Sequence, residues 1–86
     1  MKNEETLEKV IDIMIANFPQ LKEIQDLLWN RSTRLAEDLQ LDSFSIITLQ
    51  VAIEDNFHIR FDPLEDDFVE IFCTMGQLVD FVDRKL

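Results

Sequence analysis

The chain has 86 residues, with 18 acidic and 8 basic side chains, so its formal net charge is −10 at pH 7. This length predicts one domain, residues 1–86, with a thin core. The acidic balance argues against nucleic acid and anionic membrane surfaces as partners, because phosphates are met by clustered Lys and Arg, and it favours a basic protein partner.

Cysteine content and hydropathy indicate the compartment. Cys73 is the single cysteine, which excludes an internal disulfide and suits the reducing cytoplasm. The first residues are polar and acidic, unlike a signal peptide, and no apolar run is long enough to cross a bilayer. We therefore expect a cytoplasmic monomer that does not insert into membranes.

The first predicted helix covers residues 4–17. Its apolar residues recur at intervals of three and four: Leu7, Val10, Ile11, Met14 and Phe18. Pro19 ends the helix, because proline cannot continue the backbone hydrogen bonding. Residues 20–42 form a long connection that contains a short helix ending near Trp29, whose ring we expect to pack in the core.

A second long helix runs from about Ser43 to Asn56, and a loop follows it. The segment 68–72, "FVEIF", reads as one helical turn or a short strand. The last helix starts after Thr74, because Thr74 and Gln77 have the spacing of a capping box. Its apolar stripe is Leu78, Val79, Val82 and Leu86. Three main helices without hairpin signals predict an all-α fold.

The helix that starts at Ser43 carries two apolar stripes. At about 100° per residue, one set of side chains forms an ordinary core stripe: Ile46, Leu49, Ile53 and Phe57. A second stripe lies roughly 130° away and consists of Phe44, Ile47 and Val51. Its polar border is Thr48, Glu54 and Asp55. The second stripe either lies under the connection of residues 20–42 or forms a partner interface together with its border.

Ser43 lies at the N-terminal end of both stripes, and its residue type has two interpretations. Serine is a common helix N-cap, because its hydroxyl accepts a hydrogen bond from a free backbone N–H. It is also a possible attachment point, because the free N–H groups and partial positive charge of a helix start stabilise a phosphate ester. The residue pattern leaves both open.

The sequence around Ser43 resembles the central segment of acyl carrier proteins. That segment typically reads L-x-E-D-L-G-x-D-S-L, followed by an apolar helix and E-x-x-F-x-I. The stretch "LAEDLQLDSFSIITLQVAIEDNFHIRF" matches it at Leu35, Glu37, Asp38, Leu39, Asp42, Ser43, Leu49, Glu54, Phe57 and Ile59. "CTMGQLVDFV" resembles the last helix of the same family.

The resemblance implies a small four-helix bundle of the acyl-carrier type, with a short third helix and here a long first loop. It implies that a phosphopantetheinyl transferase attaches 4′-phosphopantetheine to Ser43, and that Asp42 supports the transfer. The thiol of the arm would hold an acyl group as a thioester. The protein would catalyse nothing itself and would present its cargo to separate acyl-loading and acyl-processing enzymes with basic docking patches.

Several residues depart from the usual family pattern. Gln40 and His58 stand where glycine is common, and the position of His58 calls for a left-handed backbone. Phe44 replaces a leucine. Ser45 and Thr48 replace residues that are often acidic in carriers of fatty acid synthesis. The departures point to a specialised fatty acid, polyketide or nonribosomal peptide pathway.

An alternative function needs no modification. A small acidic helical adaptor would bind a basic protein partner through the stripe of Phe44, Ile47 and Val51. We predict no metal site, because His58 and Cys73 are the only residues of their types and the acidic residues near position 66 lack the spacing of a calcium loop. We also predict no catalytic pair.

Overall fold

The computed structural model describes residues 3–86, and in this range the regular structure is helical apart from one isolated β-bridge. The elements are α1 (Asn3–Asn17), a 3-10 helix (Pro19–Ile24), α2 (Gln25–Leu28), α3 (Ser43–Phe57), α4 (Phe68–Ile71) and α5 (Met75–Lys85). The all-α prediction and the three long helices are confirmed. None of the helices in the described range is both long enough and apolar enough to cross a membrane.

Local chemistry explains where the shorter elements start. Pro19 opens the 3-10 helix directly after α1, as expected for a residue that cannot continue the α-helix but suits a helix start. The side chain of Asp67 accepts hydrogen bonds from the backbone N–H groups of Val69 and Glu70, so the segment 68–72 forms a helical turn and not a strand. Thr74 caps α5 by accepting from the N–H of Gln77 at 3.2 Å, as predicted. The other half of the predicted capping box differs, because Gln77 Oε1 accepts from the Thr74 hydroxyl at 3.1 Å and not from the Thr74 backbone N–H.

The core forms where α1 packs against α3 and α5. Each of these helices contributes fully buried side chains: Val10 and Met14 from α1, Leu49 and Ile53 from α3, and Leu78, Val79 and Val82 from α5. The 3.6-residue periodicity placed these residues on one face of each helix. The core stripe predicted for α3 is confirmed, although Ile46 at its start is only half-buried.

The connection before α3 is held against the start of α5. The Leu35 N–H donates to the Cys73 carbonyl at 3.2 Å, and the Met75 N–H donates to the Thr33 carbonyl at 2.9 Å. Leu35, Leu39 and Leu41 bury their side chains in the core. The connection is therefore an ordered segment packed beside α5, and it does not extend over the outer face of α3.

One of the two alternatives for the second stripe is excluded, and two predictions about burial are wrong. The second stripe of α3 is not covered by residues 20–42, because that connection packs near α5. Trp29 is 50% exposed, because α2 is one turn long and directs only Leu28 into the core. Leu86 is also 50% exposed, since it follows the last residue of α5.

Candidate functional site

Asp42, and not Ser43, is the N-cap of α3. The Asp42 backbone is extended, and its Oδ1 accepts a hydrogen bond from the Ser45 N–H at 2.8 Å. Ser43 is the first helical residue and is exposed. Within residues 3–86 the Ser43 hydroxyl has no hydrogen-bond partner. Of the two interpretations of Ser43, the capping function falls to its neighbour, and the serine hydroxyl faces solvent.

The charge of Asp42 is stabilised by the helix that it caps. The Ser45 backbone N–H is the main cause that lowers the pKa of Asp42 below its usual value. The carboxylate is therefore ionised at neutral pH beside the free hydroxyl of Ser43. Its Oδ1 is engaged by the cap, and the residue is exposed.

An open groove of about 780 Å³ starts at Asp42 and Ser43 and runs between α3 and α4. The α3 side consists of Ser43, Ile46, Ile47 and Gln50. These positions are three, four and seven residues apart, so they share one face of the helix. The opposite side consists of Phe68, Val69 and Phe72. The exposed serine thus lies at the end of a largely apolar groove.

A cluster of aromatic rings holds the α4 side of the groove in place. Phe61 is 5.5 Å from Phe68, 5.4 Å from Phe72 and 4.7 Å from Phe81, measured between ring centroids. Such contacts favour fixed ring positions. The sequence indicated none of the three α4-side groove residues as functional, because a four-residue helix is too short for its periodicity to identify a face.

The mouth of the groove, which is the part lined by Arg34 and Glu37, carries paired charges. Arg34 forms ion pairs with Glu37 and, at 3.4 Å, with Asp38. The hydrogen bond to the Asp38 side chain is the main cause that raises the pKa of Arg34, and the Arg34 backbone N–H is the main cause that lowers the pKa of Asp38. Arg34 and Glu37 line the groove together with the ionised Asp42, so the single positive charge offsets one of the two carboxylates in the lining.

The predicted partner interface lies on exposed surface at the outer side of α3. Phe44 is 78% exposed, Ile47 58% and Val51 49%. Thr48 is half-buried, and its hydroxyl donates to the Phe44 carbonyl at 3.1 Å. The stripe is thus an uncovered apolar surface that starts beside Ser43.

The two acids of the predicted interface differ in their surroundings. Asp55 is exposed, whereas Glu54 is half-buried. Glu54 Oε2 accepts a hydrogen bond from the Phe61 N–H at 2.9 Å. Glu54 therefore anchors the loop after α3 in addition to bordering the stripe.

Gln40 and His58 are the two non-glycine residues with positive φ in the described range, at 57° and 55°. His58 ends α3 in the left-handed conformation, as predicted, and its N–H donates to the Glu54 carbonyl. Gln40 lies two residues before the N-cap Asp42, so its backbone conformation helps to direct the chain into α3.

Residues 3–86 contain no group of three or more His, Cys, Asp or Glu side chains placed to hold a metal ion. Asp66 Oδ2 accepts from the Asp62 N–H at 2.7 Å and pairs with Lys85 at 3.3 Å, and Asp67 caps α4. Cys73 is an exposed thiol on the groove, whereas His58 lines a separate depression at the other end of α3.

No family model matches the chain, and no solved structure matches it at a significant level.

Proposed function

We propose that the protein is an acyl carrier that is modified with 4′-phosphopantetheine on Ser43. One observation carries the proposal: an exposed serine with an unpaired hydroxyl begins a long helix and opens onto an apolar groove. The motif resemblance around Asp42 and Ser43 supports it. The two left-handed positions that replace common glycines support it too, because they depend on backbone geometry and not on side-chain similarity.

The start of α3 suits the attachment chemistry. In the transfer, the Ser43 oxygen forms a phosphodiester with the arm as the pyrophosphate bond of coenzyme A breaks. The 3′,5′-adenosine diphosphate of coenzyme A leaves, and the hydroxyl proton passes to the transferase. The backbone N–H groups of Ser43 and Phe44 precede the first hydrogen bond inside the helix, so they and the helix dipole stabilise the new negative charge. Asp42 remains ionised and offers its exposed carboxylate to the transferase complex.

The groove provides a shelter for the cargo. Its volume of about 780 Å³ lies within the range of roughly 300 to 1,000 Å³ that is usual for small-molecule sites. Ile46, Ile47 and Phe72 give it an apolar lining, which suits an acyl chain. The helix order also agrees with a small bundle of the acyl-carrier type, because the short α4 precedes the last helix and the first connection is long.

Separate acyl-loading and acyl-processing enzymes would dock on the exposed stripe of α3. Phe44, Ile47 and Val51 lie next to the attachment point, so a bound enzyme would have its active site near the arm. Thr48 and Asp55 supply the polar border of this surface. The carrier itself contributes no catalytic group.

The decisive experiment is modification by a promiscuous phosphopantetheinyl transferase with coenzyme A. Intact mass spectrometry should show one added phosphopantetheine on the native protein and none on Ser43→Ala. Ser45→Ala is the matched control, because it removes a neighbouring hydroxyl of α3 while the backbone N–H of residue 45 still donates to Asp42 Oδ1, and it should leave modification intact. A native protein that several transferases leave unmodified would refute the carrier, and modification of Ser43→Ala would place the site elsewhere.

The exposed stripe also favours a second candidate function. A small acidic adaptor would use Phe44, Ile47 and Val51 to bind a basic protein partner without any modification. The stripe and the charge of −10 suit both functions. The adaptor gives no reason for an unpaired serine hydroxyl at the end of a groove, and the transferase experiment separates the two.

A further inference from the structure

Apart from Ser43, Gln50 is the polar residue of the groove whose hydrogen-bonding groups remain available. The charged side chains at the mouth are engaged, since Arg34 pairs with Glu37 and Asp42 caps α3. Within the described residues, the Gln50 carboxamide has no hydrogen-bond partner, although it is half-buried in a largely apolar groove. A carboxamide in this position can donate and accept at once.

The position of Gln50 relates it directly to Ser43. The two residues are seven apart on α3, which places them on the same face of the helix, about 10 Å apart along its axis. Ile46 and Ile47 lie between them, and Phe68 and Val69 lie across the groove. An acyl chain that the arm delivers into the groove therefore contacts this apolar section together with the carboxamide.

The cost of desolvation decides which cargo suits this arrangement. A plain hydrocarbon against Gln50 removes water from the carboxamide and returns no hydrogen bond, which is unfavourable. A chain with a hydroxyl or oxo group at this depth replaces the lost water contacts while its hydrocarbon part fills the apolar section. We propose that the cargo is an oxygen-bearing acyl chain, hydroxylated or oxidised along its length, whose oxygen pairs with Gln50. This inference rests on the proposed carrier function.

The test compares cargoes on the same carrier. The transferase loads the protein from coenzyme A analogues with an octanoyl group, or with octanoyl groups that carry one hydroxyl at successive odd-numbered carbons. Intact mass spectrometry verifies loading, so a failure to load contradicts the carrier function and not the inference. Thermal denaturation then measures Tm. At least one hydroxylated cargo should raise Tm above the octanoyl value by roughly 4 to 8 °C, the shift that one hydrogen bond gives in a small domain.

Two variants assign the effect to Gln50. In Gln50→Leu the order of the Tm values should reverse, so that the octanoyl group stabilises the protein more than the hydroxylated chain does. Gln25→Leu makes the same substitution on exposed surface outside the groove and should keep the native order. The inference is overturned if octanoyl stabilises the native protein most, or if the order of cargoes does not depend on residue 50. It is also overturned if Gln50→Leu has its full effect on protein that carries the arm without cargo, because the amides of the arm would then be the partner.

Discussion

Asp42 and Ser43 have separate functions although they are adjacent and both are good capping residues. Asp42 satisfies the Ser45 N–H, so the Ser43 hydroxyl needs no partner within the chain. An attachment site requires such a hydroxyl, because a transferase must reach it without dismantling the helix start. The same carboxylate adds a charge beside the site, and its pKa is lowered by the cap hydrogen bond.

The residue-scale prediction concerns how the cap depends on pH. The folded state lowers the pKa of Asp42 below its unfolded value near 3.8, so the charge stabilises the fold above that pH. This contribution is lost as the pH falls through the lower folded pKa. Asp42→Asn keeps a capping oxygen without the charge. We expect it to be less stable than the native protein at neutral pH, and we expect the difference to vanish below the folded pKa.

Urea denaturation at neutral and strongly acidic pH measures this difference. Asp42→Ala provides the comparison, because it removes the cap as well as the charge and should be the least stable of the three proteins at neutral pH. If the free energy of unfolding of the native protein exceeds that of Asp42→Asn by the same amount at every pH, the charge of Asp42 does not stabilise the helix.

At the scale of elements, the three long helices could be predicted because each repeats its apolar residues over several turns. The N-caps at Thr74 and at the Asp42-Ser43 junction marked their starts. The groove could not be predicted, because its two sides come from Ile46 on α3 and Phe68 on α4, which are distant in sequence. The prediction that Trp29 packs in the core failed for a related reason. Its apolar character suggested the core, but a one-turn helix can bury only one side.

The element-scale prediction concerns the contact between α5 and the connection before α3. Gly76 donates its N–H to the Arg31 carbonyl at 2.9 Å, and a Cβ at Gly76 would lie 3.0 Å from that oxygen. Alanine would gain up to about 1 kcal/mol of helix propensity. Overpacking typically costs about 1 to 3 kcal/mol, and Arg31 is held in place by its 2.7 Å ion pair with Asp80. We therefore expect Gly76→Ala to lower Tm.

Thermal denaturation of Gly76→Ala and of the double variant Gly76→Ala with Asp80→Asn tests whether the close contact with Arg31 causes the loss of stability. Releasing Arg31 through Asp80→Asn should make the alanine less costly than it is in the native background. A Tm that rises in Gly76→Ala alone would show that the connection moves aside freely and that propensity decides the outcome.

At the scale of the whole molecule, the negative charge is unevenly placed relative to Ser43, the proposed attachment site. The net charge is −10, but the first two turns of α3 offer Phe44, Ser45, Ile47 and Thr48, none of which is acidic. Asp55 is exposed further along the helix, and Glu54 is engaged by the Phe61 N–H. An enzyme that relies on a basic docking patch would therefore find an apolar surface near the arm.

This distribution predicts that the loaded protein is a poor substrate for general fatty-acid-synthase enzymes and serves a specialised pathway. One exposed ion pair is worth only about 0.2 to 1 kcal/mol, but several together raise the encounter rate and the selectivity. The double variant Ser45→Asp with Thr48→Glu should improve turnover by those enzymes. High salt should cancel the gain, because the Debye length falls to about 3 Å at 1 M ionic strength. The neutral variant Ser45→Asn with Thr48→Gln controls for size and should bring no gain. If the native protein already matches a housekeeping carrier in a reconstituted fatty acid synthase, the specialised pathway is refuted, while modification at Ser43 would still define the protein as a carrier.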